Sequence, residues 1–233
     1  MRHTFEGAIM QIAIDGPAAS GKSTAAGLLA KKLGFLYIDT GAMYRAVTLK
    51  GIRDNADFSD EQKMEHIASR MKIGITQAPE TSRGYKVSID GADVTDELFT
   101  PSVDSKVSLA ARIGGVRRVL VDQQREIASH NDVVMAGRDI GSNVLTQAEL
   151  KIFLTADPAV RAERRLKELE QKGEKKDFED ILGNIRQRDR IDSTREDNPL
   201  IKTDDAVEVD CSNLTITEMV DLIEDYALRI RRI

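Results

Sequence analysis

The chain has 233 residues, 41% hydrophobic and 31% charged, enough for one sizeable α/β domain with a small insert. A net charge of −5 excludes a molecule built to coat nucleic acid, and local basic clusters must be read as sites or as solvated faces. The single cysteine, Cys211, excludes an internal disulfide framework, and no apolar run approaches a membrane span or a secretory signal, so a soluble cytoplasmic protein is expected.

Residues 1–8 read as a frayed tail. The apolar run 9–14 reads as a strand, and it ends in Gly16-x-x-x-x-Gly21-Lys22-Ser23. Residues 23–33 follow, helix-prone, with Lys31 and Lys32 in the last turn and Gly34 as the stop. Strand, glycine loop and helix in that order are the setting of a phosphate-binding loop. Gly16 and Gly21 permit backbone angles and close approaches that a Cβ would block. The loop N–H groups then converge on phosphate oxygens at the positive end of the helix. Lys22 can reach the β- and γ-phosphates, and the Ser23 hydroxyl can ligate the Mg²⁺ that travels with them. Gly16, Pro17, Ala18, Ala19, Ser20, Gly21, Lys22, Ser23 and Thr24 are therefore the expected nucleoside-triphosphate segment. Asp15, just before the loop, is a candidate to support it or to orient magnesium waters, and is not counted as catalytic.

Residues 35–38 read as a second strand, ending in Asp39-Thr40-Gly41, and Ala42-Met43-Tyr44-Arg45 opens another helix. This is the start of a parallel sheet with helices on its faces. About residues 54–105 break the rhythm. Ile73, Ile75, Val87 and Ile89 sit in short alternating segments bounded by Pro79, Gly84 and Asp90-Gly91, which predicts a small antiparallel β insert with a hairpin at Asp90-Gly91. Residues 103–128 read as helical, interrupted at Gly114-Gly115. Strands are predicted at 133–136, 151–155 and 206–209, and helices at 159–171 (stopped by Lys172-Gly173), 178–191 and 217–229. The predicted fold is a three-layer α/β domain with a five-stranded parallel sheet, the β insert and a short helical lid. Its expected parts are a core (about 9–53, 106–157 and 192–233), the insert (about 54–105) and the lid (about 158–191).

A guanine-reading Asn-Lys-x-Asp string is absent, which argues against a GTPase switch, and the chain is short for a motor. Arginines instead stand at strand and helix ends: Arg45, Arg117, Arg138, Arg161, Arg164, Arg165, Arg188 and Arg195. Guanidinium forks clamp phosphates and stabilise a transferred phosphoryl group, so the pattern suggests two phosphorylated ligands. His3, His66 and His130 form no metal-site spacing and read as surface residues.

Over nearly its whole length the chain resembles the bacterial cytidylate kinases, within the nucleoside monophosphate kinase group. The resemblance rests on Ile14-Asp15-Gly16-Pro17 with Gly21-Lys22-Ser23, and on Asp39-Thr40-Gly41-Ala42-Met43-Tyr44-Arg45. It extends through Ala136-Gly137-Arg138-Asp139-Ile140-Gly141, residues 151–156, Arg188-Asp189-x-x-Asp192-Ser193-x-Arg195 and Pro199-Leu200. It implies ATP with Mg²⁺ as donor, CMP or dCMP as acceptor, and neither nucleic acid nor membrane as partner; a monomer is expected. It implies that Thr40 and Arg45 hold the monophosphate and that Arg138 contacts phosphate near the transfer site. By the same resemblance Ser108, Arg117 and Asp139 face cytosine, Arg188 and Asp192 the ribose, and Arg195 the nucleotide.

Residue pattern alone reads Ser108 and Arg117 as solvated helix residues, and Arg188 with Asp192 as a surface ion pair at i,i+4. Arg161, Arg164 and Arg165, at i, i+3, i+4, lie where the family keeps its lid. There they would stabilise transition-state charge, Arg161 and Arg165 being the catalytic candidates beside Lys22 and Arg138. The alternative is a solvated face of a helix charged all round. A kinase for another small acceptor such as UMP, or a non-catalytic nucleotide sensor, are the rival functions.

Overall fold

The computed structural model describes residues 9–78, 80–81, 83–171 and 173–231. The expected tail at 1–8, with His3, and the boundary residues Pro79 and Lys172 lie outside the described residues. In chain order β1 (Gln11–Asp15) leads through the glycine loop into α1 (Lys22–Leu33), then β2 (Leu36–Asp39), α2 (Thr40–Arg53) and α3 (Glu61–Arg70). The insert strands are β3 (Ile73–Ala78), β4 (Gly84–Ile89) and β5 (Ala92–Asp93). A short 3₁₀ turn at Glu97–Phe99 precedes α4 (Pro101–Ala110), α5 (Gly114–Ser129) and β6 (Val133–Gly137). A π turn at Ile140–Val144 leads to β7 (Leu150–Thr155), α6 (Pro158–Gln171), α7 (Phe178–Thr194), β8 (Val207–Asp210) and α8 (Ile216–Arg231).

The larger sheet has five strands in the order β2-β6-β1-β7-β8, and the smaller has β3-β4-β5. β1 runs parallel to β7, with Ile12 opposite Leu150 and Asp15 opposite Phe153, and β7 parallel to β8. Ile12, Ala13 and Ile14 are fully buried, as expected of an interior parallel strand covered on both faces. The predicted hairpin at Asp90-Gly91 joins β4 to β5, both residues having positive φ (52° and 86°). The main antiparallel pair is β3 with β4. The predicted helix break lies at residues 111–113, and Gly114 opens α5 rather than interrupting it.

The insert reading misses α3. Asp60 caps it by accepting from the Lys63 amide at 2.9 Å, and only Met64, Ile67 and Ala68 are buried, at i, i+3 and i+4. An otherwise polar helix of ten residues leaves little apolar signal against a β-like background. α6 ends at a left-handed Gly173 (φ 78°), whose N–H donates to the Glu170 carbonyl while that of Glu174 donates to Leu169. That is the Schellman pattern, and it explains a glycine there.

By internal contacts the chain forms two compact units: the described residues of Met1–Ile9 with Gly34–Val133, and those of Met10–Leu33 with Val134–Ile233. In the first, α2 packs on α3 and α4, and α3 on α5. In the second, α1 packs on α8 and α6 on α7. No helix among the described residues is long and apolar enough to cross a membrane.

Candidate active site

The second unit holds the phosphate loop. A Cβ on Gly16 would collide with the backbone oxygen of Leu154, and Gly21 has φ 88°, so both glycines are needed for shape. Ala19 also sits in the left-handed region, φ 58°, at a cost of about 1–2 kcal/mol for an L-residue. Its methyl packs against the apolar cluster of Ala162, Leu169, Ile181, Leu182 and Ile185 between α6 and α7, which holds the strained turn in place. Lys22 folds back across the loop and donates to the Pro17 carbonyl at 2.7 Å. The side chain is buried, and burial pulls its pKa well below the usual lysine value. The charges of Arg138 and Arg188 push the same way, while Asp192 and Asp15 oppose them. A dianionic phosphate placed there would restore what burial takes from the ammonium. Ser23 and Thr24 are exposed on the first turn of α1.

The chain after β6 turns sharply at Gly137-Arg138-Asp139 into the π turn. Arg138 Nε donates to Asp192 Oδ2 at 2.7 Å. Arg195 Nη2 meets Asp139 Oδ1 at 3.0 Å, and Asn143 Nδ2 donates to Asp139 Oδ2 at 3.1 Å. Arg188 is exposed by area yet crowded by neighbours: partial burial first, then the Arg138 charge, lowers its pKa. The structure thus gathers Lys22, Arg138, Asp139, Arg188, Asp192 and Arg195 into one alternating cluster of charge. Spacing of i, i+4, i+7 would put Arg188, Asp192 and Arg195 on one helix face, and this holds for the first two. Arg195 lies one residue past α7, with φ −64° and ψ 144°, and donates from Nε to the Asn198 carbonyl at 2.7 Å. Its ion pair with Asp139 comes from leaving the helix, which i, i+4, i+7 spacing does not foresee.

The three α6 arginines differ sharply. Arg161 is 3% exposed. It forks onto Asp189 (3.0 and 2.6 Å) and donates to the Ala156 carbonyl at 2.9 Å and to the phosphate-loop Ala18 carbonyl at 3.0 Å. Arg164 donates to the Cys211 and Leu214 carbonyls (2.5 and 3.2 Å), pinning the connection from β8 to α8. Arg165 makes an exposed i,i+3 pair with Glu168 at 2.7 Å. Asp189, the partner that fills Arg161, stands in the Arg188–Arg195 motif, where the sequence gives it no role of its own.

In the first unit, Thr40 is buried at the start of α2. Arg45 Nη1 donates to the Leu98 carbonyl (3.0 Å) and to Asp104 (2.5 Å), and its guanidinium lies 4.9 Å from the centre of the Phe99 ring. Arg117 is buried on α5, 5.9 Å from the Tyr44 ring centre, whereas Ser108 is exposed on α4. Tyr85, a residue the sequence reading passes over, donates its hydroxyl to Asp39 at 3.1 Å beside Thr40. Burial, then the Asp39 charge, raises its pKa.

A parallel sheet, a glycine loop at a strand end, a buried loop lysine and clustered arginines define a phosphotransferase of the P-loop class. Residues 12–229 match the model of the cytidylate kinase family. The chain is 49% identical over 212 residues to a cytidylate kinase of Pelotomaculum thermopropionicum, covering 91% of this chain and 93% of that protein. It is 44% identical over 223 residues to one of Bacillus pumilus, covering 96% and 98%. The chain belongs to the cytidylate kinase family. Among solved structures, an uncharacterized protein from Eubacterium ventriosum is similar in fold, with TM-score 0.50, 11% identity and coverage of 94% of this chain and 98% of that one.

Proposed function

We propose that this protein transfers the γ-phosphoryl group of ATP to CMP and dCMP, giving ADP and the nucleoside diphosphate. The observation that carries the reading is the buried Lys22 among Arg138, Arg188 and Asp192, in a chain of the cytidylate kinase family. In this reading a phosphate oxygen of the acceptor attacks the γ-phosphorus in line, and the bond from that phosphorus to the bridging oxygen of ADP breaks. No protein nucleophile takes part. Lys22 and the arginines hold the phosphates and absorb charge. Arg138 is released from Asp192, and Arg195 from Asp139, as phosphate and base take those partners. Thr40 and Arg45 are assigned to the monophosphate, Ser108, Arg117 and Asp139 to cytosine, Arg188 and Asp192 to the ribose.

Among the described residues no group of three or more His, Cys, Asp or Glu could hold a metal. The exposed Ser23 hydroxyl at the start of α1 fits a Mg²⁺ that arrives on the nucleotide and keeps most of its waters. When bound, that ion neutralises phosphate charge. Of the α6 arginines, Arg165 supports a transition-state role best, because Arg161 and Arg164 are committed to backbone carbonyls. The reading carries with it a monomer working in the cytoplasm.

An ADP-release assay over a panel of nucleoside monophosphates tests this. Cytosine offers an amino donor and a ring-nitrogen acceptor where uracil offers a carbonyl and an N–H. With UMP, Asp139 and Arg117 would both be mismatched, each at roughly 1–3 kcal/mol. CMP and dCMP are expected to exceed UMP by about 100-fold or more in kcat/KM. ADP release that no monophosphate stimulates, or equal use of CMP and UMP, would overturn the assignment.

A further inference from the structure

Asp15 ends the strand that carries the phosphate loop, and it is buried. Its two oxygens accept from consecutive backbone amides: Oδ1 from Ile140 N at 2.8 Å, and Oδ2 from Gly141 N at 2.7 Å. Those amides open the π turn immediately after Arg138 and Asp139. The approach is close. A Cβ on Gly141 would lie 3.4 Å from Asp15 Oδ2 and 3.1 Å from the Lys151 side chain.

We propose that Asp15 is a positioning residue for phosphoryl transfer, a strut whose carboxylate sets the distance between the phosphate loop and the Arg138-Asp139 turn. The proposal rests on the reading above, in which those two residues meet the acceptor. It needs the ionised form. A carboxylate accepts from two N–H groups at once, whereas the protonated acid directs its own O–H at one of them. Maintaining that ion is costly. Burial pushes the Asp15 pKa up to about 6; Asp139 adds to the rise, and the two amide hydrogen bonds and Lys22 oppose it. Lys151, on the neighbouring β7, commits its ammonium to the Thr146 carbonyl and to Asp205. A strand end that needed only packing would be served by an apolar residue or an amide. An ion kept here at such cost points to geometry that only a two-oxygen acceptor maintains.

The test is Asp15→Asn, which keeps shape but turns one acceptor into a donor. Expected for the variant is a kcat with ATP and CMP lower by about 10-fold or more, with KM for ATP little changed. Wild-type kcat/KM is expected to fall as pH drops through about 6, and the variant to lack that limb. Hydrogen exchange of the unliganded protein supplies a readout independent of turnover. The Ile140 and Gly141 amides should lose protection selectively in the variant. In the wild type, going from pH 7.5 to about pH 5, where Asp15 protonates, the same two amides should lose protection relative to the rest of the core, because their local release leaves Asp15 buried whereas global unfolding exposes it. That second comparison holds even where the variant fails to fold. Unaltered protection of both amides relative to the core across pH, or a folded variant with wild-type kcat and the same acid limb, overturns the proposal. A wild type that turns over no monophosphate fails the functional reading instead, and is seen before any variant is compared.

Discussion

Lys22 is a charge placed where the folded protein disfavours it, and in the proposed reaction its value lies in what it does for ligand phosphate rather than for the fold. Lys22→Ala should cost on the order of 100-fold or more in turnover, comparable to removing one preorganised donor, while the circular-dichroism melt stays close to wild type. Near-normal turnover in the folded variant would refute a role for Lys22 in phosphoryl transfer. Arg161 and Arg165 invert this contrast. Arg161→Ala leaves Asp189 without its fork and two carbonyls without a donor, a loss of roughly 3–5 kcal/mol for a broken buried pair, or a melting point lower by on the order of 10 °C. Arg165→Ala breaks a surface pair worth about 0–1 kcal/mol and should leave the melt in place while lowering kcat by at least about 10-fold. If the two variants lost stability equally, the division of labour drawn from their contacts would be wrong.

At the level of elements, the apolar runs around Ile12 and Ile152 and the glycine spacing of the loop were legible because they are local. Strand burial and loop curvature leave period and glycine marks on the sequence. α3 was not legible, because three buried residues in a polar helix carry too little signal. Nor was the grip of Asp15 on Ile140 and Gly141, partners 125 and 126 positions away, or that of Arg161 on Asp189, 28 away. No spacing rule links such residues, and only the sheet order brings the first pair together. An acidic residue closing an apolar strand was the one hint. The α6–α7 hairpin yields its own expectation. Residues 173–177 between the helices are exposed, and if the hairpin closes over bound nucleotide their proteolysis should slow when ATP and CMP are both present. Cleavage at the same rate with and without ligands would count against a closing lid.

For the whole molecule, the Asp15 carboxyl links stability to pH with an unusual sign. Its pKa is about 6 in the fold against an ordinary 3.8, so between those values the native state binds more protons than the unfolded one. The contribution of this group is therefore most favourable below pH 3.8 and is lost as pH rises through 6, leaving a cost of about 3 kcal/mol at neutral pH. Urea titrations of wild type and Asp15→Asn should show the wild type losing ground to the variant between about pH 4 and pH 7; a gap that does not change with pH would refute the linkage. One further feature makes such openings observable. The Cys211 thiol is buried, 3.0 Å from the Thr155 carbonyl and 3.3 Å from the Ser20 carbonyl of the phosphate loop, and it is the only cysteine in the chain. A thiol-specific reagent can therefore enter only when that corner breathes. In the limit of fast reclosing, its labelling rate counts the fraction of molecules momentarily ajar, a chemical clock on the glycine loop that needs neither an engineered cysteine nor turnover.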